Sequence, residues 1–295
     1  MCSLMKLTDS QITEFHEKGF LVVEGLFTND DLNPVIKEYS DIIDHRAQRL
    51  LADGKIKSLQ EKETFERRLA SLAKEDPEIA SNLDIMQTRK RGAFNFLKNP
   101  KILDLSESLV GPEILCNPIQ HIRAILPHNQ SAGHPIPWHQ DTGVSWPEVD
   151  PYFMLTIWVP IVDATLDNGC LEVMPESHKL GLFPHKRTPQ GLGIPCDDLP
   201  DIKPLPLPVT TGSAILFNNY TLHHARANKS HGVRWSLDLR YHDAYQPTGR
   251  PFYPSFLFRS KIRPDALQTD YETWCQRWEF SLEHSKGADH FRWPK

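Results

Sequence analysis

The sequence predicts a mainly β fold with added helices, a β-sandwich or barrel core behind a helical N-terminal third. Three observations carry this. From about residue 113, short runs rich in β-branched and aromatic residues recur: ILCNPIQHIRAIL, FMLTIWVPIV, CLEVMP, SAILFN and RWSLDLRYH. Clusters of Gly, Pro and Asn separate them, as turns between strands require. Ahead of them, polar and apolar residues follow one another at helical spacing.

Taken in order, Thr8-Asp-Ser-Gln11 has the form of a capping box and opens a helix. GFLVVEG then reads as a short strand, and LFTNDDL opens a second helix. A charged block from Lys55 to Glu78 carries Phe65, Leu69 and Leu72 at i, i+4 and i+7, one apolar face on a solvated helix that ends near Asp76-Pro77. The β-type runs follow. The predicted organisation is therefore one domain over 1–295: a helical part to about 110, a β core over about 111–245 and an extension over 246–295. PLPLP at 204–208 has the composition of a proline-rich binding peptide but leads straight into a turn and strand, which argues against that role. Asn168-Gly169 tolerates positive φ and reads as a turn between strands. The closing FRWPK is too short to interpret.

Composition narrows the function. A net charge of -5 gives no broad basic field for neutralising phosphates, so nucleic acid is excluded as a partner and a small molecule is favoured. No run of about 18 apolar residues occurs and the start lacks a leader pattern, so no membrane segment is expected. The five cysteines, Cys2, Cys116, Cys170, Cys196 and Cys275, are odd in number and never form a CxxC pair. That argues against a disulfide framework or a structural zinc site and fits a soluble, cytoplasmic protein. Nothing sets an oligomeric state.

The chemistry starts at PWHQDTGVSW, residues 137–146, where one glutamine separates His139 from Asp141. If the segment is a strand, alternation sends imidazole and carboxylate to the same face. A third ligand is available in TLHHARANKSHGVRWSL, where His223 or His224 could serve on chemical grounds. Two histidines and one carboxylate on one face of a metal leave the other positions open, the arrangement of non-haem Fe(II) oxygenases. Structural zinc would want four closed ligands. The same segment holds Arg234, whose planar fork of N–H donors suits a carboxylate. An acid-bearing cosubstrate such as 2-oxoglutarate would join the two features, its keto-acid end on iron and its far carboxylate on the arginine. Trp146, in the polar loop after the ligands, is a candidate for facing a substrate; Trp158 suits the core better. Among the 14 histidines, His121, His134, His178, His231 and His242 need no metal role.

Three ordered motifs, Trp138-His-Gln-Asp141, LDNGCLEVMPESH over 166–178 and His223-x-Ala-x-x-Asn-x-Ser-x-x-x-Arg234, resemble those of the phytanoyl-CoA dioxygenase family of Fe(II)/2-oxoglutarate oxygenases. The resemblance spans roughly 113–243, with a weaker likeness at GFLVVEGLF. It implies a double-stranded β-helix, or jelly roll, with Fe(II), 2-oxoglutarate and O2 at its open end. By position it implies His139, Asp141 and His223 as iron ligands, with His224 a neighbour, and Arg234 on the far carboxylate of 2-oxoglutarate. It places Thr156 as a hydroxyl donor to that carboxylate, Ser236 as a helper along the same strand, and Gln120 facing the pocket from the strand before the ligands. Halogenating relatives lack the carboxylate that Asp141 supplies, so the resemblance implies hydroxylation of an unactivated C–H bond with release of succinate and CO2. Segments 55–98 and 183–204 are where relatives vary their substrate contacts and are expected to act as lids. Two other readings share these ligands: a cupin-like hydrolase or isomerase using another divalent metal, and a 2-oxoglutarate sensor without turnover.

Overall fold

The computed structural model describes residues 6–130, 136–188, 191–288 and 292–293. The helices are α1 (Asp9–Lys18), α2 (Asn29–Ala52), α3 (Phe65–Ala73), α4 (Ile85–Thr88), α5 (Arg91–Leu97), α6 (Pro100–Val110) and α7 (Tyr271–His284). The strands are β1 (Phe20–Val23), β2 (Ile114–Cys116), β3 (His121–Ile125), β4 (Met154–Pro160), β5 (Leu171–Val173), β6 (Lys186–Thr188), β7 (Gly191–Gly193), β8 (Leu205–Leu207), β9 (Ala214–Asn218), β10 (His223–Ala225), β11 (Arg234–Asp243) and β12 (Phe256–Arg259).

The helical start follows from local chemistry. The Thr8 side chain caps the Gln11 amide while the Gln11 side chain accepts from the Thr8 amide at 2.9 Å, the reciprocal box expected there. Gly19 then adopts φ 81°, which ends α1 and turns the chain directly into β1. At α2, Thr28 and Asp31 form a second box, with Lys101 on Asp31 at 2.7 Å. The charged block departs from expectation. Only Phe65–Ala73 is α-helical, with a 3-10 turn following at Pro77–Ala80, because Thr64 lies in extended conformation at its N-terminus and residues 55–64 form turns and loop. Its apolar face is nonetheless the expected one: Leu69 and Leu72 are buried and Phe65 stacks on Trp235 at 5.0 Å.

A seven-stranded sheet runs β1-β9-β4-β11-β2-β12, with β3 also on β11, and a three-stranded sheet runs β10-β5-β8. The pairings within both are antiparallel, giving the jelly-roll arrangement of two sheets, and β6 and β7 add a small hairpin. PLPLP supplies the edge strand β8, where Pro206 removes no needed donor.

Strand β11 explains how the two layers are filled. Its odd residues Trp235, Leu237, Leu239 and Tyr241 pack with the helices in the large core, which reaches from Leu7 to Trp278. Each such buried side chain contributes about 1.5–3 kcal/mol. Its even residues Arg234, Ser236, Asp238 and Arg240 are equally buried but polar, and alternation puts them on the opposite face. A smaller apolar cluster, including Trp158, Leu171, Val173 and Phe217, joins the two sheets on that face. The sheet therefore carries a greasy side toward the helices and a polar ladder toward the second sheet.

Candidate active site

Among the described residues, one cluster could hold a metal: His139, Asp141 and His223, whose donor atoms lie within 4.8 Å of one another. PWHQDTGVSW is not a strand. His139 makes a single bridge with His223, the amide of each donating to the carbonyl of the other at 3.0 and 3.1 Å. Asp141 then opens a 3-10 turn, Asp141–Val144, that brings its carboxylate round to the imidazoles. Gln140 between them is fully buried and points its amide elsewhere, donating to the carbonyls of Gly181 and Tyr220 and accepting from the Phe183 amide.

Both imidazoles are set for binding through Nε2. His139 Nδ1 lies 2.9 Å from the Pro137 carbonyl and His223 Nδ1 lies 2.9 Å from the Thr221 carbonyl. A carbonyl can only accept, so each Nδ1 carries the proton and each Nε2 keeps its lone pair. Phe217 stacks on His223 at 4.7 Å and 11°, fixing the ring plane. Burial, reinforced by the neighbouring His223, pushes His139 down to about 3, so the His139 ring is neutral at physiological pH. Burial alone would raise the Asp141 carboxyl. Arg240, with help from His223 and His139, instead holds it well below the usual carboxylate range. Arg240 donates to Asp141 Oδ1 at 2.5 Å, and the Thr156 hydroxyl donates to Oδ2.

Arg234 is fully buried at the start of β11. Its Nε donates to the Gly169 carbonyl at 3.2 Å, its Nη1 donates to the Ser236 hydroxyl at 2.5 Å, and its guanidinium lies 5.3 Å over the Trp158 ring. Among the described residues its Nη2 has no acceptor. Burial pushes this guanidinium down to about 9, with Arg123 adding to the effect.

Two spaces adjoin the ligands. A cleft of about 20 Å³ is bounded by Thr156, Trp158, Phe217 and His223. A cavity of about 390 Å³ opens on the other side, and His139 and Arg123 line both. Met86, from α4, and Leu192, from β7, line the cavity, so each expected lid segment contributes to its wall.

Three placements differ from the sequence reading. Gln120 lies in the turn between β2 and β3, not on a strand; its amide donates to the Asn117 carbonyl at 3.2 Å, and its neighbours Ile119 and His121 line the cavity in its place. The 3-10 turn brings Val144 to the cavity wall, while Trp146 packs edge-on against Phe252 at 5.7 Å. The Thr156 hydroxyl is engaged by Asp141 and Ser236 orients Arg234. His224 stacks on Trp138 at 4.1 Å and bonds Glu172 at 2.6 Å, outside the cluster. Cys2 and His134 lie outside the described residues.

Sequence reasoning missed Arg240 and the C-terminal segment. Arg292 donates to the carbonyls of Thr142, Ser145 and Trp146 and pairs with Asp150 at 2.6 Å. Trp293 donates to the Gly143 carbonyl and stacks on His185, which in turn accepts from the Gln140 amide at 3.0 Å. These contacts fasten the turn that carries Asp141. Phe291, Pro294 and Lys295 lie outside the described residues.

Comparison with known proteins decides the family. The profile of the phytanoyl-CoA dioxygenase (PhyH) family matches residues 15–236. The chain belongs to the phytanoyl-CoA dioxygenase family. A zebrafish (Danio rerio) relative in this family, phytanoyl-CoA dioxygenase domain-containing protein 1, is 24% identical over 259 residues, covering 77% of this chain and 87% of that protein. The fold is that of the non-heme monooxygenase ThoJ (TM-score 0.64, 17% identity, 94% of this chain and 99% of that one). It is also that of the epimerase SnoN, solved with Fe3+, alpha ketoglutarate and nogalamycin RO (TM-score 0.53, 18% identity, 83% of this chain and 88% of that one). The family and the His–Asp–His set together make this chain an Fe(II)- and 2-oxoglutarate-dependent oxygenase, with O2 as the second cosubstrate. Among the described residues, no helix is long and apolar enough to cross a membrane.

Proposed function

We propose that the protein hydroxylates an unactivated C–H bond of a small molecule and releases succinate and CO2. The observation that carries this reading is the His139 and His223 Nε2 atoms converging with the Asp141 carboxylate, together with a buried Arg234 whose Nη2 lacks an acceptor among the described residues. This donor set fits Fe(II), and the orphaned guanidinium atom fits the far carboxylate of 2-oxoglutarate. When bound, the iron supplies the oxidising chemistry, coupling O2 reduction to decarboxylation of 2-oxoglutarate and oxidation of the substrate. The residues do the rest. Thr156 and Arg240 aim and charge-balance Asp141, Ser236 orients Arg234, and the two carbonyl contacts hold the imidazole tautomers. The cleft beside Trp158 is smaller than 2-oxoglutarate, so its side chains part on binding, an ordinary extent of adjustment. Asp141 fills the position that halogenating relatives leave open, which favours hydroxylation over halogenation.

The test is anaerobic titration of Fe(II)-loaded protein with 2-oxoglutarate, followed by aerobic assays of succinate and product mass over a small-molecule panel. A visible charge-transfer band, oxygen-dependent succinate and a product heavier by one oxygen atom are expected. No band would remove the oxygenase reading and leave the hydrolase or isomerase. A band without oxygen consumption would make the protein a sensor, and succinate with a product of unchanged mass would point to epimerase-type chemistry.

A further inference from the structure

We infer that the substrate of this site is a small, largely apolar molecule carrying a hydroxyl group, and that His121, held by Asp84, accepts a hydrogen bond from that hydroxyl on the cavity wall; this rests on the oxygenase reading above. Asp84 caps α4, and its Oδ1 accepts the amides of Ile85 at 2.8 Å and Ile122 at 3.0 Å, while its Oδ2 lies 2.5 Å from His121 Nδ1. Burial alone would raise the Asp84 carboxyl, but His121, Arg123 and the Ile85 amide hold it below its ordinary value. An ionised carboxylate can only accept, so His121 Nδ1 carries the proton and Nε2 keeps its lone pair. Burial, reinforced by Arg123, pushes His121 below its ordinary value, and the ring stays neutral.

This pair faces the cavity. His121 lines it with 18% of its side-chain surface still exposed, and its bond to Asp84 is the one side-chain hydrogen bond it makes among the described residues, so the Nε2 edge is left to the cavity. The strand fixes the arrangement. His121 and Arg123 are alternate residues of β3, paired with Asp238 and Ser236 of β11, so they share the polar face that also carries Arg240. Arg123, Arg240 and Arg250 line the cavity too, and none of the described lining residues is Asp or Glu. A guanidinium only donates, whereas the neutral His121 offers a lone pair. That combination selects the ligand group. A carboxylate has no proton to give Nε2, and an ammonium would meet three cations. A hydroxyl suits both neighbours, donating to His121 Nε2 and accepting from Arg123 with one oxygen, because the two residues sit about 7 Å apart along one face. Met86, Ile119, Val144 and Leu192 make the remaining wall apolar, and the cavity's 390 Å³ lies at the small end of the range of about 300–1,000 Å³ usual for small-molecule sites.

The test uses the full chain loaded with Fe(II) and 2-oxoglutarate without oxygen, titrated by calorimetry with 4-phenylbutan-1-ol, its methyl ether, 4-phenylbutyramide and 4-phenylbutylamine. The wild-type protein should bind the alcohol about 5-fold or more tightly than the ether, the worth of one hydrogen bond between neutral groups, and more tightly than the amide or the amine. His121→Phe should abolish the preference over the ether. Asp84→Asn keeps an acceptor for the two amides but turns an N–H donor toward Nδ1, which moves the ring proton to Nε2, so the ether should then bind at least as tightly as the alcohol. Nitrogen NMR of metal-free protein with labelled histidine should read Nδ1–H at His121 in the wild type and Nε2–H in Asp84→Asn. A pair that only tied α4 to β3 would leave the alcohol-to-ether ratio unmoved by either substitution. Equal affinity for alcohol and ether, no binding of the alcohol, tighter binding of the amide or amine, Nε2–H in the wild type, or an undiminished preference in a folded His121→Phe protein would each overturn the assignment. Should His121→Phe not fold, the wild-type ratio and tautomer decide alone. Failure of the oxygenase reading shows separately, as absence of the 2-oxoglutarate charge-transfer band in the wild-type protein before any alcohol is added.

Discussion

Replacing Arg234 by Met should move two observables in opposite directions. The guanidinium is fully buried, and two of its nitrogens donate to Gly169 and Ser236 while Nη2 has no acceptor among the described residues. Its depression to about 9 corresponds to a cost on the order of 5 kcal/mol for keeping the charge in place. Met fills much of the same volume beside Trp158 without that cost. The cosubstrate-free variant should therefore be at least as stable as wild type and up to about 4 kcal/mol more so, the span seen when buried charges give way to packed apolar groups. Cosubstrate binding should suffer the reverse. A carboxylate buried against Met has lost its partner, which costs about 3–5 kcal/mol, or roughly two to three and a half decades in Kd. Anaerobic 2-oxoglutarate titration and thermal unfolding without 2-oxoglutarate measure the two effects. Unchanged 2-oxoglutarate affinity would refute the role of Arg234. A large drop in Tm would show instead that its bonds to Gly169 and Ser236 brace the turn between strands.

The other predictions concern the ligands and their supports. Thr156→Val leaves Asp141 Oδ2 without its donor and should weaken Fe(II) binding by about 10- to 100-fold, read by metal titration; if 2-oxoglutarate affinity falls and Fe(II) affinity does not, the hydroxyl serves the cosubstrate. Gly143→Ala puts a Cβ 2.0 Å from the His185 ring in the turn that carries Asp141, so it should cost about 1–3 kcal/mol of stability together with Fe(II) affinity. A stable, fully metallated variant would contradict the packing described. For pH, burial lowers His121, His139, His185 and His242 in the fold, while the unfolded chain titrates near 6.5. The unfolded state therefore binds more protons on the acid side. Metal-free stability should be present above about pH 6.5 and fall below it, each histidine contributing up to about 1.4 kcal/mol per pH unit. A Tm that is flat between pH 7.5 and 5.5 would sink this account.

What the sequence disclosed depended on whether the informative residues lie on regular structure. The runs at Met154–Pro160, Ala214–Asn218 and Arg234–Asp243 are strands as expected, because their hydrophobic content and flanking turns act locally. The register from His223 to Arg234 came instead from the family motif, since local chemistry left His223 and His224 both open. Gln120 was misplaced because it sits where alternation stops, in the turn after Asn117-Pro118, whereas Trp146 lies in the loop expected, just beyond a 3-10 turn. Arg240 was readable in principle. It is six residues after Arg234 on one strand and so on the same face, but its partner Asp141 is 99 residues away and no local pattern links them. Arg292 and Trp293 carried no signal at all, since two residues have no period and their value lies in carbonyls of a distant turn.

The polar face of β11 ties these pieces into one device. Six residues along a strand span about 20 Å, so Arg234 and Arg240 are fixed far apart by backbone geometry alone, with Ser236 and Asp238 between them. The sheet sets this separation whether or not any ligand is present, because Trp235, Leu237, Leu239 and Tyr241 lock the other face into the helical core. One arginine thereby stays beside Gly169 and Ser236, while the other is held against Asp141 and would lose its partner if the strand slipped. A register shift of one residue would exchange both arginines for Trp235 and Tyr241 and destroy core and site together. The residues that stabilise the fold and those that place the chemistry are thus alternate members of the same ten-residue strand.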